Sequence, residues 1–241
     1  MKKTVLITGA NRSIGYEVAK QLLAKDYFVY IGSRDLIKGN EAVAQLKAAG
    51  FNDVDVLQID VADKTSVDKA AKTLAEKIKQ LDVLINNAGI LGAMPQNASE
   101  ISLENIRNVY ETNFFGVIQT TQAFIPLLKQ SPAPRIVNVS SDLGSFGNHT
   151  NPAYEYYHLK ALAYCSSKIA LNAFTVMLAH DFKDTDFKVN SVNPGYTATE
   201  FNNFSGYKTI EAGAEPIIKY ATIDSDGPTG KFFSDYGETP W

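Results

Sequence analysis

The chain has one cysteine, Cys165, one tryptophan and three histidines in 241 residues. A single cysteine excludes an intramolecular disulfide and suits a reducing compartment. Three scattered histidines and one cysteine cannot supply the clustered ligands of a typical zinc site, so no metal is expected. Neither sign of charge is in excess: 23 Lys plus Arg against 26 Asp plus Glu leaves −3. That balance excludes a strongly basic nucleic-acid binder and offers no polybasic membrane patch. No stretch approaches the roughly 20 consecutive apolar residues of a membrane span. The apolar run after Met1-Lys2-Lys3 is too short for the core of a signal peptide. The expectation is a cytoplasmic protein with no nucleic-acid or membrane partner.

What is present is ordinary for a globular chain: 45% hydrophobic and 20% charged residues. A chain of this length buries roughly three quarters of its unfolded surface, so its core needs no metal or disulfide. Short β-branched runs alternate with longer helical patterns. The predicted strands are 4–7, 28–31, 54–59, 83–86, 135–139, 188–192 and 231–234. Helices are predicted over 14–25, 35–49, 63–80 and 161–180. Such alternation with apolar strands marks an α/β fold, a parallel sheet covered on both faces. No repeat or linker divides the chain, so residues 1–241 are read as one domain. Segments 142–160 and 196–209 break the alternation and read as long loops, which in a compact domain are usually functional.

The first strand runs into Thr8-Gly9-Ala10-Asn11-Arg12-Ser13-Ile14-Gly15, and a helix follows at once. Glycines at such a turn admit a pyrophosphate, and the helix N-terminus faces its charge. The pattern T-G-x-x-x-S-x-G resembles the T-G-x-x-x-G-x-G loop of short-chain dehydrogenases/reductases, with Ser13 in place of the middle glycine. If that position needs a positive φ, Ser13 costs stability. The second strand ends Ile31-Gly32-Ser33-Arg34-Asp35. In the family register Ser33 takes the place of the acidic residue that selects NAD, and Arg34 follows it. Asp35 reads as a helix N-cap. Arg34 and Arg12 therefore favour NADPH/NADP, with NAD second.

The resemblance then extends along the chain in order. Asn86-Asn87-Ala88-Gly89 follows the fourth strand, Asp60-Val61 the third, and Asn138-Val139-Ser140-Ser141 ends the fifth. Asn113 lies in a helical pattern, Tyr164-Cys165-Ser166-Ser167-Lys168 opens a long helix, and Asn193-Pro194-Gly195 ends the sixth strand. It implies a Rossmann-type doubly wound parallel sheet of about seven strands with helices on both faces. It implies Asn113, Ser141, Tyr164 and Lys168 as catalytic residues. Gly9, Asn11, Arg12, Ser13, Ile14, Gly15, Arg34, Asp60, Val61, Asn87, Ala88, Gly89, Pro194, Gly195, Thr197 and Thr199 would hold the cofactor, with Tyr164 and Lys168.

The residue types suit carbonyl chemistry. Tyr164 and Lys168 share a helix face. A nearby ammonium is expected to lower the tyrosine pKa towards neutrality. Tyr164 would serve as general acid in reduction and base in reverse. Ser141, favoured over Ser140 by register, would hydrogen-bond the carbonyl oxygen. Tyr156 also has a lysine four positions on, Lys160. The run Ile169-Ala170-Leu171-Asn172 beyond Lys168 matches the family helix, which favours Tyr164. Residues 142–160 are then an insertion before the catalytic tyrosine, as in carbonyl reductases of the family. Such a segment can obstruct a face used for oligomers, so a monomer is admissible and the oligomeric state stays open.

Residues 196–209 are expected to form a substrate lid. Ser141, Leu143, Tyr164, Tyr196 and Phe204 are expected at the substrate, with Ile90, Leu91, Asp142 and Phe201 as further candidates. An aromatic lid suggests a small-molecule carbonyl partner, a bulky apolar ketone or aldehyde. The leading reading is an NADPH-dependent carbonyl reductase. An alcohol dehydrogenase acting mainly in oxidation, or a non-catalytic cofactor-sensing protein, are the alternatives.

Overall fold

The computed structural model describes residues 2–241. Its strands are β1 (Thr4–Thr8), β2 (Phe28–Ser33), β3 (Val54–Gln58), β4 (Val83–Asn86), β5 (Arg135–Val139), β6 (Lys188–Val192), β7 (Phe232–Ser234) and β8 (Gly237–Glu238). They form one sheet in the order β3-β2-β1-β4-β5-β6-β7-β8. The first seven pair in parallel, and β8 turns back antiparallel onto β7. The expected seven strands are thus eight. The extra one is two residues long, made by a turn at Gly237 (φ +120°), and too short to show any periodicity.

Alternation within the strands separates two cores. Val5 and Ile7 of β1 face a cluster with Val18 and Leu22 of α1 (Ser13–Ala24), Val43 and Leu46 of α2 (Leu36–Ala48) and Ile217 of α8 (Ile210–Ala221). Leu6, between them, faces Val67 and Leu74 of α3 (Lys64–Lys77) and Phe124 and Leu128 of α5 (Gly116–Leu128). Leu178 of α7 (Leu162–Asp181) joins the second cluster. Each face is therefore covered by helices, as a parallel sheet requires. Two of these helices start at side-chain caps: Asp35 accepts from the N–H groups of Ile37 and Lys38, and Asp63 from that of Thr65.

Two further departures concern apolarity and loops. Among the described residues one helix, Leu162–Asp181, is long and apolar enough by length and composition to cross a membrane. It contains no unbroken apolar run, because Ser166, Ser167, Lys168 and Asn172 interrupt it. More than half of it is packed inside the molecule. Segment 142–160, expected as loop, contains a 3₁₀ turn (Asp142–Gly144) and a helix of five residues, α6 (Phe146–Thr150), capped by Ser145.

Candidate functional site

The sheet order reverses at β1, whose neighbours are β2 and β4. Connections leave to opposite faces there and open a crevice at the carboxyl ends of the strands. The loop from β1 into α1 lines it. Gly9 has φ +65°, and a Cβ there would lie 3.0 Å from Ala88 Cα. A Cβ on Gly15 would lie 2.5 Å from Asn87 Nδ2 and 2.9 Å from the Gly9 carbonyl oxygen. Asn87 pins this loop, Nδ2 donating to the carbonyls of Thr8 (2.8 Å) and Gly9 (3.2 Å). The Thr8 hydroxyl accepts in turn from the N–H groups of Asn87 and Ala88. The result is a compact cradle at the amino end of α1, where orphan N–H groups favour an anion. These residues fit a dinucleotide. Ser13 has φ +55°, so the strain anticipated for this position is present.

A cavity of about 250 Å³ beside the loop is lined by Asn11, Arg12, Lys38, Glu41, Ala42, Gln45 and Glu200. Arg34 is exposed at the end of β2, and Ser33 is buried with Oγ donating to the Asp35 carbonyl. Arg12 forms an exposed ion pair with Glu200 of the 196–209 segment. Lys38 was not anticipated from sequence; a lysine one turn into a helix reads as a solvated charge until its neighbours are placed. At the ends of β3 and β6, Asp60 Oδ1 accepts from the Ala62 N–H, and Asn193 Oδ1 from the Gly195 N–H. Val61 offers its carbonyl to Gln119 Nε2, and Thr197 Oγ1 donates to the carbonyl of Pro194 at 3.3 Å. The Thr199 N–H donates to Asn202 Oδ1, closing the turn Glu200–Asn202.

Opposite the cradle lies the tyrosine–lysine pair. Tyr164 and Lys168 project from the first turns of α7 and are buried. The Ser141 hydroxyl lies close to the Tyr164 phenol and accepts from the Leu143 N–H at 3.2 Å. Ser140 instead is buried, its hydroxyl without a partner among the described residues. Lys168 Nζ donates to the Val139 carbonyl at 2.8 Å and lies 5.9 Å from the centre of the Tyr164 ring. Burial pushes the Tyr164 phenol up to about 12, partly offset by the nearby Ser141 hydroxyl. Burial also pushes the Lys168 ammonium down to about 8. The expected depression of the tyrosine towards neutrality is therefore not found. Desolvation dominates the phenol, and the Lys168 ammonium donates to the Val139 carbonyl.

Asn113 is fully buried in a π-helical stretch, Glu111–Phe115, between α4 (Leu103–Tyr110) and α5. Such widened turns often mark functional positions. Its side chain accepts from the Ile90 N–H (2.8 Å) and donates to the Ile90 carbonyl (2.9 Å) and Ser167 Oγ (3.1 Å). Below the site, Asn86 Nδ2 donates to Asn138 Oδ1 and Asn138 Nδ2 to Thr175 Oγ1, tying β4 and β5 to α7.

A family model for short chain dehydrogenases matches residues 3–208. The chain belongs to the short-chain dehydrogenase family. It is 31% identical to (+)-neomenthol dehydrogenase of Capsicum annuum, over 95% of this chain and 94% of the relative. It is 33% identical to salutaridine reductase of Papaver somniferum, over 98% and 95% of the two chains. The crystal structure of an NADPH-bound carbonyl reductase from chicken fatty liver superposes with a TM-score of 0.86 at 27% identity, covering 100% of this chain and 99% of that one. The chain is thus an oxidoreductase of this short-chain dehydrogenase family, with its Rossmann-type fold.

In this short-chain dehydrogenase the two Y-x-x-x-K tyrosines occupy different settings. Tyr156 lies in a turn, not a helix, and stacks edge-on against Tyr196 at 5.9 Å. Its lysine partner by spacing, Lys160, donates to the His149 carbonyl and covers the Tyr157 ring instead. Tyr196 also meets Tyr207 at 6.2 Å, so these aromatics form one wall. Over Tyr164 sits Phe201, with ring centres 5.5 Å apart. Phe204, expected at the substrate, is 63% exposed, and both it and Asn203 take positive φ. Asp142 is likewise drawn away: it accepts from Ser234 Oγ of β7 at 2.7 Å, and burial raises its pKa.

Proposed function

We propose that the chain is an NADPH-dependent carbonyl reductase, reducing a bulky apolar ketone or aldehyde with Tyr164 as proton donor. The observation that carries this reading is geometric: Tyr164 and Lys168 lie buried on one face of α7, with Ser141 at the end of β5 close to the phenol. NADP(H), when bound, supplies the hydride chemistry. Gly9, Gly15 and the amino end of α1 would hold its pyrophosphate, with Asn11, Ile14, Asp60, Val61, Ala88, Gly89, Pro194, Gly195, Thr197 and Thr199 around it. Arg34, Lys38 and Arg12 would meet the 2′-phosphate. Ser141 donates to the carbonyl oxygen as negative charge grows there. Tyr164 Oη delivers its proton to that oxygen, and the Lys168 ammonium keeps the local field positive. Phe201, Tyr196 and Leu143 would enclose the substrate. The NADPH-bound relative supports the cofactor assignment.

The test is NADPH oxidation across a panel of ketones, with cofactor affinities measured alongside. Charge-assisted hydrogen bonds contribute about 1.5–3 kcal/mol, so Arg34→Ala or Lys38→Ala should weaken NADPH about tenfold or more. NADH binding should barely change. Equal weakening of both cofactors would contradict the 2′-phosphate assignment, and no turnover of any carbonyl would contradict the activity.

A further inference from the structure

The segment that follows β4 meets the start of α7 at Gln96. One side chain ties the two together. Gln96 is 2% exposed. Its Nε2 donates to the Leu91 carbonyl at 2.7 Å, and its Oε1 accepts from the Tyr164 N–H at 3.1 Å. Its backbone carbonyl accepts from the Leu162 N–H at 3.2 Å.

The first N–H groups of a helix have no partner within it. Ala161, the N-cap of α7, makes no side-chain capping bond. Gln96 therefore supplies from far along the chain what a serine or aspartate cap supplies locally. The amide it caps belongs to Tyr164 itself. On the other side, Asn113 grips Ile90 through both its N–H and its carbonyl. Ile90 and Leu91 thus hang between two buried side-chain amides, one beside Ser167 and one at Tyr164. A carboxamide is the group that both donates to a carbonyl and accepts from an N–H. Nothing in the sequence pattern marks this glutamine, because its partners lie on two distant segments.

We infer that Gln96 is a positioning residue for the reduction, holding Tyr164 and the Ile90–Leu91 wall of the pocket in one fixed relation. This rests on the reading of Tyr164 as proton donor. Gln96→Leu strips both bonds and leaves the buried Tyr164 N–H and the half-buried Leu91 carbonyl without them. Gln96→Glu keeps an oxygen for the Tyr164 N–H, next to a helix end that favours negative charge. It cannot donate to Leu91, so it releases the pocket wall alone.

The experiment measures kcat, ketone KM, NADPH affinity and Tm for wild type, Gln96→Leu, Gln96→Glu and Tyr164→Phe. Ser131→Ala serves as the stability control. It breaks a buried hydrogen bond to Asp82 at the opposite end of the sheet, and should lower Tm without changing kcat. A small displacement of a catalytic group can cost about 10²-fold, so Gln96→Leu should lose about 10- to 100-fold in kcat with NADPH affinity kept. Gln96→Glu should recover much of that kcat while its ketone KM stays raised. Wild-type kinetics for Gln96→Leu beside an inactive Tyr164→Phe would overturn the positioning role alone. Loss of NADPH affinity in step with kcat would reduce Gln96 to a structural role, also overturning it. If Gln96→Leu does not fold, Gln96→Glu decides: raised KM supports the inference, unchanged KM and kcat overturn it. An active Tyr164→Phe would overturn the reading beneath, and the inference with it.

Discussion

Ser13 carries a left-handed backbone, φ +55°, at the start of α1. A non-glycine residue held there stores of order 1–3 kcal/mol. Ser13→Gly relieves that strain and restores the family loop, at some cost from the freer unfolded chain. The expected net gain is about 1 kcal/mol, or about 2–4 °C in Tm for a chain of this size. Thermal melts of the two proteins without ligand check it. Lys168 gives a prediction of opposite kind. Its pKa falls from 10.5 to about 8 on burial. Between those values the unfolded chain holds the proton and the folded chain does not, so stability rises with pH across that window. Lys168→Met removes the step. Its stability relative to wild type should be highest at and below pH 8 and decline towards pH 10.5. Denaturant unfolding at several pH values would show this, and a pH-independent difference would refute the lowered pKa of the buried Lys168. At this scale residue type and order were legible, as Ser141, Tyr164 and Lys168 show by lying together. Protonation was not, because it depends on how much water the fold removes from the phenol.

The 196–209 segment shows what a linear pattern can and cannot tell about an element. Its Gly, Asn and aromatic content reads as a loop near the substrate, and a parallel bridge from Thr197 to Lys208 closes its base. Which ring turns inward depends on backbone torsions at Asn203 and Phe204 that no spacing encodes. Phe201 meets Tyr164, so Phe201→Ala should change the preference between small and bulky ketones. One such contact moves specificity by about 1–3 kcal/mol. Phe204→Ala should leave the ranking nearly untouched. Relative kcat/KM across the panel distinguishes them, and the reverse order would mean the lid closes with Phe204 inward. Helices α2 and α3 were readable because periodic stretches start at the recognisable caps Asp35 and Asp63, and α1 because its stretch follows the glycine loop directly. Helix α6 and strand β8 were not, being five and two residues long.

The whole molecule converges on one crevice. The cradle at β1, Arg34 at β2, Asn87 at β4, Ser141 at β5 and Gly195 at β6 all sit where strands end. That convergence is what parallel strands provide, and the motifs that resemble the family's fall at these strand ends. The tyrosine was harder, since Tyr156 and Tyr164 both precede a lysine by four residues. The helix Leu162–Asp181 carries Tyr164 and Lys168 on one face, whereas Tyr156 and Lys160 lie outside any helix and face different partners. Steady-state ketone reduction by Tyr164→Phe and Tyr156→Phe, with NADPH binding measured in parallel, tests the account most directly. Removing the positioned acid should lower kcat by about 10²–10⁴-fold in Tyr164→Phe, with NADPH binding retained. Tyr156→Phe should stay active, with at most a changed KM. An inactive Tyr156→Phe beside an active Tyr164→Phe would contradict it.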